Sequence, residues 1–132
     1  MNGIKEVIKK FYGRERTDIK PAMTPDKNIK LLEQKYGQKL PEEVVELYST
    51  MESGFLQINE FDTWRVLSIK EILNASQELN INFIEIKKLP LIDCMVNNYI
   101  CFDFQTHKYI FMNIEDMSIF SESNLLINLL QK

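Results

Sequence analysis

The first half of the chain carries apolar residues at helical spacing and predicts three helices. The first stripe follows the i, i+3, i+4, i+7 pattern of one helical face: Ile4, Val7, Ile8 and Phe11. A polar loop follows, and Thr24-Pro25 then predicts the start of a second helix that ends at Gly37. The stretch from Pro41 to Gly54 predicts a third helix, with proline at its first position and glycine as its stop.

The second half has short runs of β-branched and aromatic residues, which predict strands. Residues 55–67 predict one or two strands around a polar turn near residues 59–62. Another strand is predicted over residues 81–90, ended by its proline. Residues 98–104 and 108–114 predict a hairpin around a Gln-Thr-His turn.

Two further helices are predicted from their start signals. Ser68 and Glu71 have the spacing of a capping box, in which each side chain hydrogen-bonds the other residue's backbone amide. Near the end of the chain, Ser121 or Ser123 is expected to cap a helix that holds four leucines: Leu125, Leu126, Leu129 and Leu130.

This order of elements predicts an α+β fold with a central, mostly antiparallel sheet and flanking helices. We expect a single domain over residues 1–132, in which residues 1–25 form an N-terminal helix and loop. The predicted strands are apolar in both alternation phases, as Ile100 and Phe102 against Tyr99 and Cys101 illustrate. Either both sheet faces are covered, or one face binds a partner.

Composition and charge argue against several classes of function. The chain is 45% hydrophobic and 27% charged, with a formal net charge of −3, so neither nucleic acid nor a membrane is an expected partner. The opening residues mix charge with apolar positions and lack a signal-peptide core, which predicts a cytoplasmic protein. Cys94, Cys101 and one histidine are too few for a zinc finger, so we expect free thiols and no cofactor.

Candidate catalytic groups are sparse, and we expect no enzyme. A thiol at Cys101 activated by His107 is one hypothesis, but a small buried cysteine and a turn histidine is the favoured interpretation. The acidic residues of the third predicted helix are interpreted as a solvated face: Glu42, Glu43 and Glu46. For a basic group near the N-terminus, a solvated helix end is favoured over a contact with nucleic acid or an acidic partner: Lys9, Lys10, Arg14 and Arg16. For Trp64, the core is favoured over an interface.

Read in order, several segments resemble the SUKH superfamily in its Smi/Knr-like branch. A helix NIKLLEQKYGQ runs into Leu40-Pro41, and the next helix, EEVVELYSTMESGF, closes at Gly54. An aromatic strand around Phe61 and Trp64 and a helix start with Ser68 and Glu71 follow. The segment LPLID, a hairpin and a C-terminal helix complete the resemblance. The positions expected to maintain the fold are Leu40, Pro41, Gly54, Trp64, Ser68 and Glu71.

The resemblance implies an α+β domain that acts as a bacterial immunity protein. Such a protein binds a cognate polymorphic toxin domain, in some cases a nuclease, and neutralises it by direct contact. A regulatory or adaptor module of the same fold is the alternative, and a small cysteine-dependent enzyme is a further one. We expect a monomer or a weak homodimer. Acidic residues predicted at element ends and in loops are the candidate contacts: Glu52, Glu60, Asp62, Glu115 and Asp116.

Overall fold

A computed structural model describes residues 3–131 and confirms the predicted α+β class. The sheet has seven antiparallel strands: β1 (Asp18–Pro21), β2 (Met51–Gln57), β3 (Thr63–Val66), β4 (Lys88–Asp93), β5 (Asn98–Asp103), β6 (Lys108–Asn113) and β7 (Ile119–Ser123). The helices of this part of the chain are α1 (Ile4–Lys9), α2 (Pro25–Tyr36), α3 (Glu42–Thr50), α4 (Ile69–Leu79) and α5 (Leu126–Leu130). Residues 1, 2 and 132 of the expected domain lie outside the described residues.

The sheet is a meander in which each strand pairs with the strand before it, in the order β1 to β7. Helices interrupt the meander twice, with α2 and α3 between β1 and β2 and with α4 between β3 and β4. Strands β2, β4 and β6 consequently run in one direction, and the other four run in the opposite direction. Turns that follow β2, β4 and β6 therefore lie at the same end of the sheet.

The third helix ends earlier than predicted and passes directly into β2. Helix α3 begins after Pro41, which is its N-cap residue, and ends at Thr50. The prediction that Gly54 stops this helix was wrong, because Gly54 lies inside β2 with a φ of 152°. A Cβ atom at this position would lie 2.3 Å from the carbonyl oxygen of Asp18. Glycine is therefore required for the close approach of β1 to β2.

The edge strands β1 and β7 were not predicted. Both have few buried residues, so neither carries the alternating pattern that identifies a half-buried strand. β7 also displaces the last helix, which begins at Leu126 and whose N-cap residue, Leu125, provides no side-chain cap, so the predicted caps at Ser121 and Ser123 were wrong. The hydroxyl of Ser123 accepts a hydrogen bond from the amide of Leu125 instead.

The fourth strand lies later in the chain than predicted. Residues 83–87 form turns, and the strand runs from Lys88 to Asp93. Pro90 was expected to end a strand, but it lies within β4 beside a register shift between Pro90 and Ile92. A bulge is the position at which an interior strand tolerates proline, because the ladder is already interrupted there.

Apolar side chains are buried on both faces of the sheet. A row on one face, fixed by the strand register, contains Val66, Ile92, Ile100 and Phe111. The opposite face holds Cys101 paired with Ile110, and both are buried. Trp64 is buried as expected, and its ring centroid lies 5.8 Å from that of Phe111 although β4 and β5 separate their strands. The sheet therefore curls strongly between β3 and β6.

Carboxylates of α3 hold two neighbouring helices in place, so their interpretation as a solvated face was wrong for Glu43 and Glu46. Glu43 accepts hydrogen bonds from the amides of Leu126 and Ile127 at 2.8 and 3.3 Å, at the start of α5. Glu46 accepts one from the amide of Lys5 in α1 at 3.0 Å. Glu42 alone of the three is exposed. The predicted capping box of α4 is confirmed, with Ser68 and Glu71 bonded reciprocally.

Candidate functional site

Three turns lie together at one end of the sheet, and we call them the loop end: residues 58–62, 94–97 and 114–118. They follow β2, β4 and β6, which run in the same direction. Each turn is separated from the next by two strand spacings, or about 10 Å in a flat sheet. The loop end is therefore small enough for one protein partner to contact all three turns.

The first turn of the loop end is held by its own side chains. The Asn59 carboxamide oxygen accepts hydrogen bonds from the amides of Phe61 and Asp62, both at 2.8 Å. The Asn59 amide group in turn donates to the Asp62 carboxylate at 2.9 Å. This network fixes the backbone while the Phe61 side chain is 85% exposed. The turn thus presents an aromatic ring to solvent from a fixed position.

Two arginines from the N-terminal segment brace the same turn. Arg14 donates to the carbonyl oxygens of Gln57 and Ile58 at 2.6 and 3.1 Å. Arg16 donates to the Thr63 hydroxyl at 2.8 Å and to the Glu60 carbonyl oxygen at 2.7 Å. Arg14 and Arg16 are exposed, as the solvated interpretation requires, but they lie beyond the end of α1 and bond the first turn of the loop end.

The second turn joins β4 to β5 and is tied to the third. The Asp93 carboxylate accepts a hydrogen bond from the Met95 amide at 2.9 Å. Asn97 contributes its carbonyl oxygen, which accepts from the Ile114 amide at 2.8 Å, and its side chain, which donates to Glu115 at 3.4 Å. These bonds fix the position of the second turn relative to the third.

The structure brings four of the five predicted contact residues to the loop end. Glu60 and Asp62 lie in the first turn, and Glu115 and Asp116 lie in the third. Glu52 lies near the start of β2, at the opposite end of the sheet, where its carboxylate is 3.2 Å from the Lys20 ammonium. The carboxylate of Asp116 accepts hydrogen bonds from the amide and the hydroxyl of Ser118, which lower its pKa and keep it charged.

Exposed apolar side chains of the loop end were not identified from the sequence. Besides Phe61, Val96 is 84% exposed, Met95 56% and Met117 40%. An available signal was the Met-Val pair in a short connection between two strands, where polar turn residues are the rule. Apolar side chains flanked by carboxylates form a surface suited to protein contact.

The proposed cysteine–histidine pair is not assembled. Cys101 is completely buried and faces the side of the sheet that carries Ile110, and burial raises the pKa of its thiol to about 12. The ring of His107 lies beside Phe102, whose side chain projects from the opposite face. The Cys101 thiol is therefore a buried core group, and His107 is a turn residue.

An open groove of about 350 Å³ lies beside the start of α3, at the end of the sheet opposite the loop end. Its lining includes Lys39, Glu42, His107 and Tyr109. Burial and the nearby Glu43 carboxylate raise the pKa of the Tyr109 hydroxyl, so it stays protonated and does not act as a base. With the Tyr109 hydroxyl held protonated, the described lining of this groove offers no support for a catalytic site.

Residues 3–131 hold neither a metal-binding cluster nor a membrane-spanning helix. This part of the chain contains no cluster of three histidine, cysteine or acidic side chains placed to hold a metal ion. Within the same residues, no helix has the length and apolar character needed to cross a membrane. With its exposed apolar side chains and flanking carboxylates, the loop end is the strongest candidate surface for function.

Comparisons with known proteins agree with the order of elements. A search of curated proteins found no match. The family model that does match covers residues 23–125, from the loop before α2 to the start of the C-terminal helix. This range contains most of the segments that carry the resemblance, among them Leu40-Pro41 and the Ser68–Glu71 capping box, whereas α5 lies beyond it. The chain therefore belongs to the SMI1 / KNR4 family (SUKH-1).

Proposed function

We propose that this protein is a cytoplasmic immunity protein that binds a cognate toxin domain and neutralises it by occlusion. The SUKH family is associated with toxin immunity, and this association is the starting point of the proposal. Its mechanism needs no catalytic group in the immunity protein, because a bound inhibitor blocks access of substrate to the toxin. The buried Cys101 thiol and the remote His107 agree with a binding role.

The observation that carries the proposal is the loop end itself. Turns braced by side-chain hydrogen bonds present exposed apolar groups with carboxylates beside them. Little conformational entropy is lost when such a surface binds, because its backbone is already ordered. Apolar contacts supply affinity, and a charged rim selects the partner and accelerates the encounter.

The acidic residues of the loop end, which we call the acidic rim, indicate the chemistry expected of the partner. Glu60, Asp62, Glu115 and Asp116 place four carboxylates at the loop end, which stays acidic overall beside the two guanidinium groups that brace its first turn, those of Arg14 and Arg16. A toxin domain that acts on nucleic acid carries a basic surface, because phosphate binding requires lysine and arginine. Such a surface complements the loop end, and a bound immunity protein would cover the region that contacts substrate.

Coexpression with the toxic domain encoded by the neighbouring gene tests the proposal. We expect growth to be rescued and a stable complex to be recovered by size-exclusion chromatography. Absence of both rescue and complex would contradict the immunity role and favour the regulatory alternative.

A charge variant tests the loop end as the contact surface. Glu60→Gln with Glu115→Gln should lower the association rate constant about three- to tenfold at low salt, and less at high salt. Glu52→Gln is the matched control at the opposite end of the sheet and should bind like the wild type. An effect of Glu52→Gln alone would move the contact surface to that end.

A further inference from the structure

The connection between β4 and β5 contains three consecutive residues with left-handed backbone conformation. Their φ angles are 74° at Met95, 52° at Val96 and 63° at Asn97. Asparagine tolerates this region, but a β-branched residue such as valine rarely adopts it, because its Cβ substituents crowd the backbone. Tight hairpins normally use glycine or asparagine at such positions.

The conformation at Met95 and Val96 does not serve the hydrophobic core. Both side chains are mostly exposed, and neither belongs to the buried cluster. An Asn-Gly pair would satisfy the same backbone without strain and without an apolar surface. The Met-Val pair therefore makes this turn less stable and less soluble than an Asn-Gly pair would. Backbone strain of this kind is concentrated at functional positions.

Neighbouring hydrogen bonds fix the backbone from which these two exposed side chains project. The Cys94 amide donates to the Asn98 carbonyl oxygen at 2.8 Å, and the Asn98 amide donates back to the Met95 carbonyl oxygen at 3.0 Å. Asn97 links the turn to the third turn of the loop end through Ile114 and Glu115. Met95 and Val96 thus protrude from an ordered base.

We propose that Met95 and Val96 form the apolar anchor of the partner contact, entering an apolar cleft bordered by lysine or arginine on a protein partner. This inference rests on the proposed function and names the residues that provide its affinity. Glu115 and Asp116 flank the anchor and require a basic border on the cleft. A second copy of this chain is a poorer fit, because an end-to-end contact would bring the two acidic rims together.

The variant Val96→Asn distinguishes an anchor residue from a structural turn residue, because the two roles predict opposite changes in the midpoint of thermal unfolding. Asparagine fits the left-handed backbone and removes the exposed apolar side chain, so the midpoint of thermal unfolding should rise by about 3 °C. Loss of the anchor should raise the Kd for the toxic domain about tenfold or more. Calorimetric titration and thermal unfolding of the same preparations give both numbers.

Met23→Asn is the matched control, since Met23 is an exposed methionine beyond β1, at the opposite end of the sheet. Its Kd should stay within about twofold of the wild-type value. Equal binding by Val96→Asn and the wild type would overturn the anchor and leave the proposed function intact. Weaker binding with a lower unfolding midpoint would also overturn it, because the residue would then be structural.

Two further outcomes complete the test. A wild-type dimer that Val96→Asn dissociates, measured by light scattering, would assign the anchor to a second copy of the chain and overturn the proposal. Failure of the wild type itself to bind the toxic domain would contradict the proposed function, and with it the anchor. Failure of the anchor is therefore recognised from Val96→Asn, and failure of the proposed function from the wild type.

Discussion

The Glu43 carboxylate accepts a hydrogen bond of 2.8 Å from the amide of Leu126, which joins α3 to α5 across 83 residues of sequence. Glu43→Ala leaves two amides at the start of α5 without an acceptor, so we expect a loss of about 2 kcal/mol in the free energy of unfolding. Urea denaturation measures this loss. Glu42→Ala, an exposed neighbour on the same helix, should change stability by less than about 0.5 kcal/mol. Equal losses in the two variants would contradict the structural role of Glu43.

Gly54→Ala should weaken the attachment of β1 to the sheet. The new methyl group would meet the Asp18 carbonyl oxygen at 2.3 Å, and the backbone there is one that alanine rarely adopts. We expect a loss of about 3 kcal/mol, with faster hydrogen exchange of the β1 amides. Gly37→Ala shares a positive φ but meets no atom within 4 Å, so it should lose only about 1 kcal/mol. A β1 that stays fully protected in Gly54→Ala would refute the close-approach explanation.

Glu71 should make stability depend on pH in the acid range. Burial favours the neutral form of this carboxyl, but hydrogen bonds from Arg65 and from the Ser68 amide outweigh it and lower the pKa. A lowered folded-state pKa gives stability that is present above the unfolded-state value of about 4.3 and is lost as pH falls through the folded-state pKa. Glu71→Gln should therefore be less stable than the wild type at pH 7, with a smaller further loss between pH 5 and pH 3.

Urea midpoints at several pH values measure this effect. Glu78→Gln changes an exposed carboxylate on the same helix and should follow the wild-type pH profile. A wild-type profile that matches that of Glu71→Gln would show that this carboxyl does not contribute to acid stability.

Features that depend on local signals in the sequence were predicted correctly, whereas features that depend on contacts between distant residues were missed. The Ser68–Glu71 capping box needs only four residues, and Gly37 at the end of α2 needs only the residue type. Gly54 was misassigned because its neighbour Asp18 is distant in sequence. Glu43 was misassigned for the same reason, since its partners lie in α5. The resemblance to the SUKH superfamily, in contrast, was confirmed by the family match.

The candidate site was predicted only in part, because the sheet topology that brings its turns together is not visible in the sequence. Charge and loop position are visible in the sequence, which is why Glu60 and Asp116 were chosen; their role in binding stays a prediction. That they share one end of the sheet follows from the direction of β2 and β6, which no local pattern contains. The left-handed backbone at Val96 was also beyond prediction, because valine gives no signal for it.

The meander has a consequence for how recognition can diversify. Each turn of the loop end joins two strands that are already neighbours, so a change in its length or composition leaves the register of the other hairpins intact. The first turn is therefore a variable unit of its own, and the second and third turns, which Asn97 links, form another on a constant scaffold. A lineage that meets new partners can therefore change the exposed residues of these turns, whereas Ile58, Cys94 and Ile114 belong to the packed interior and have to be retained.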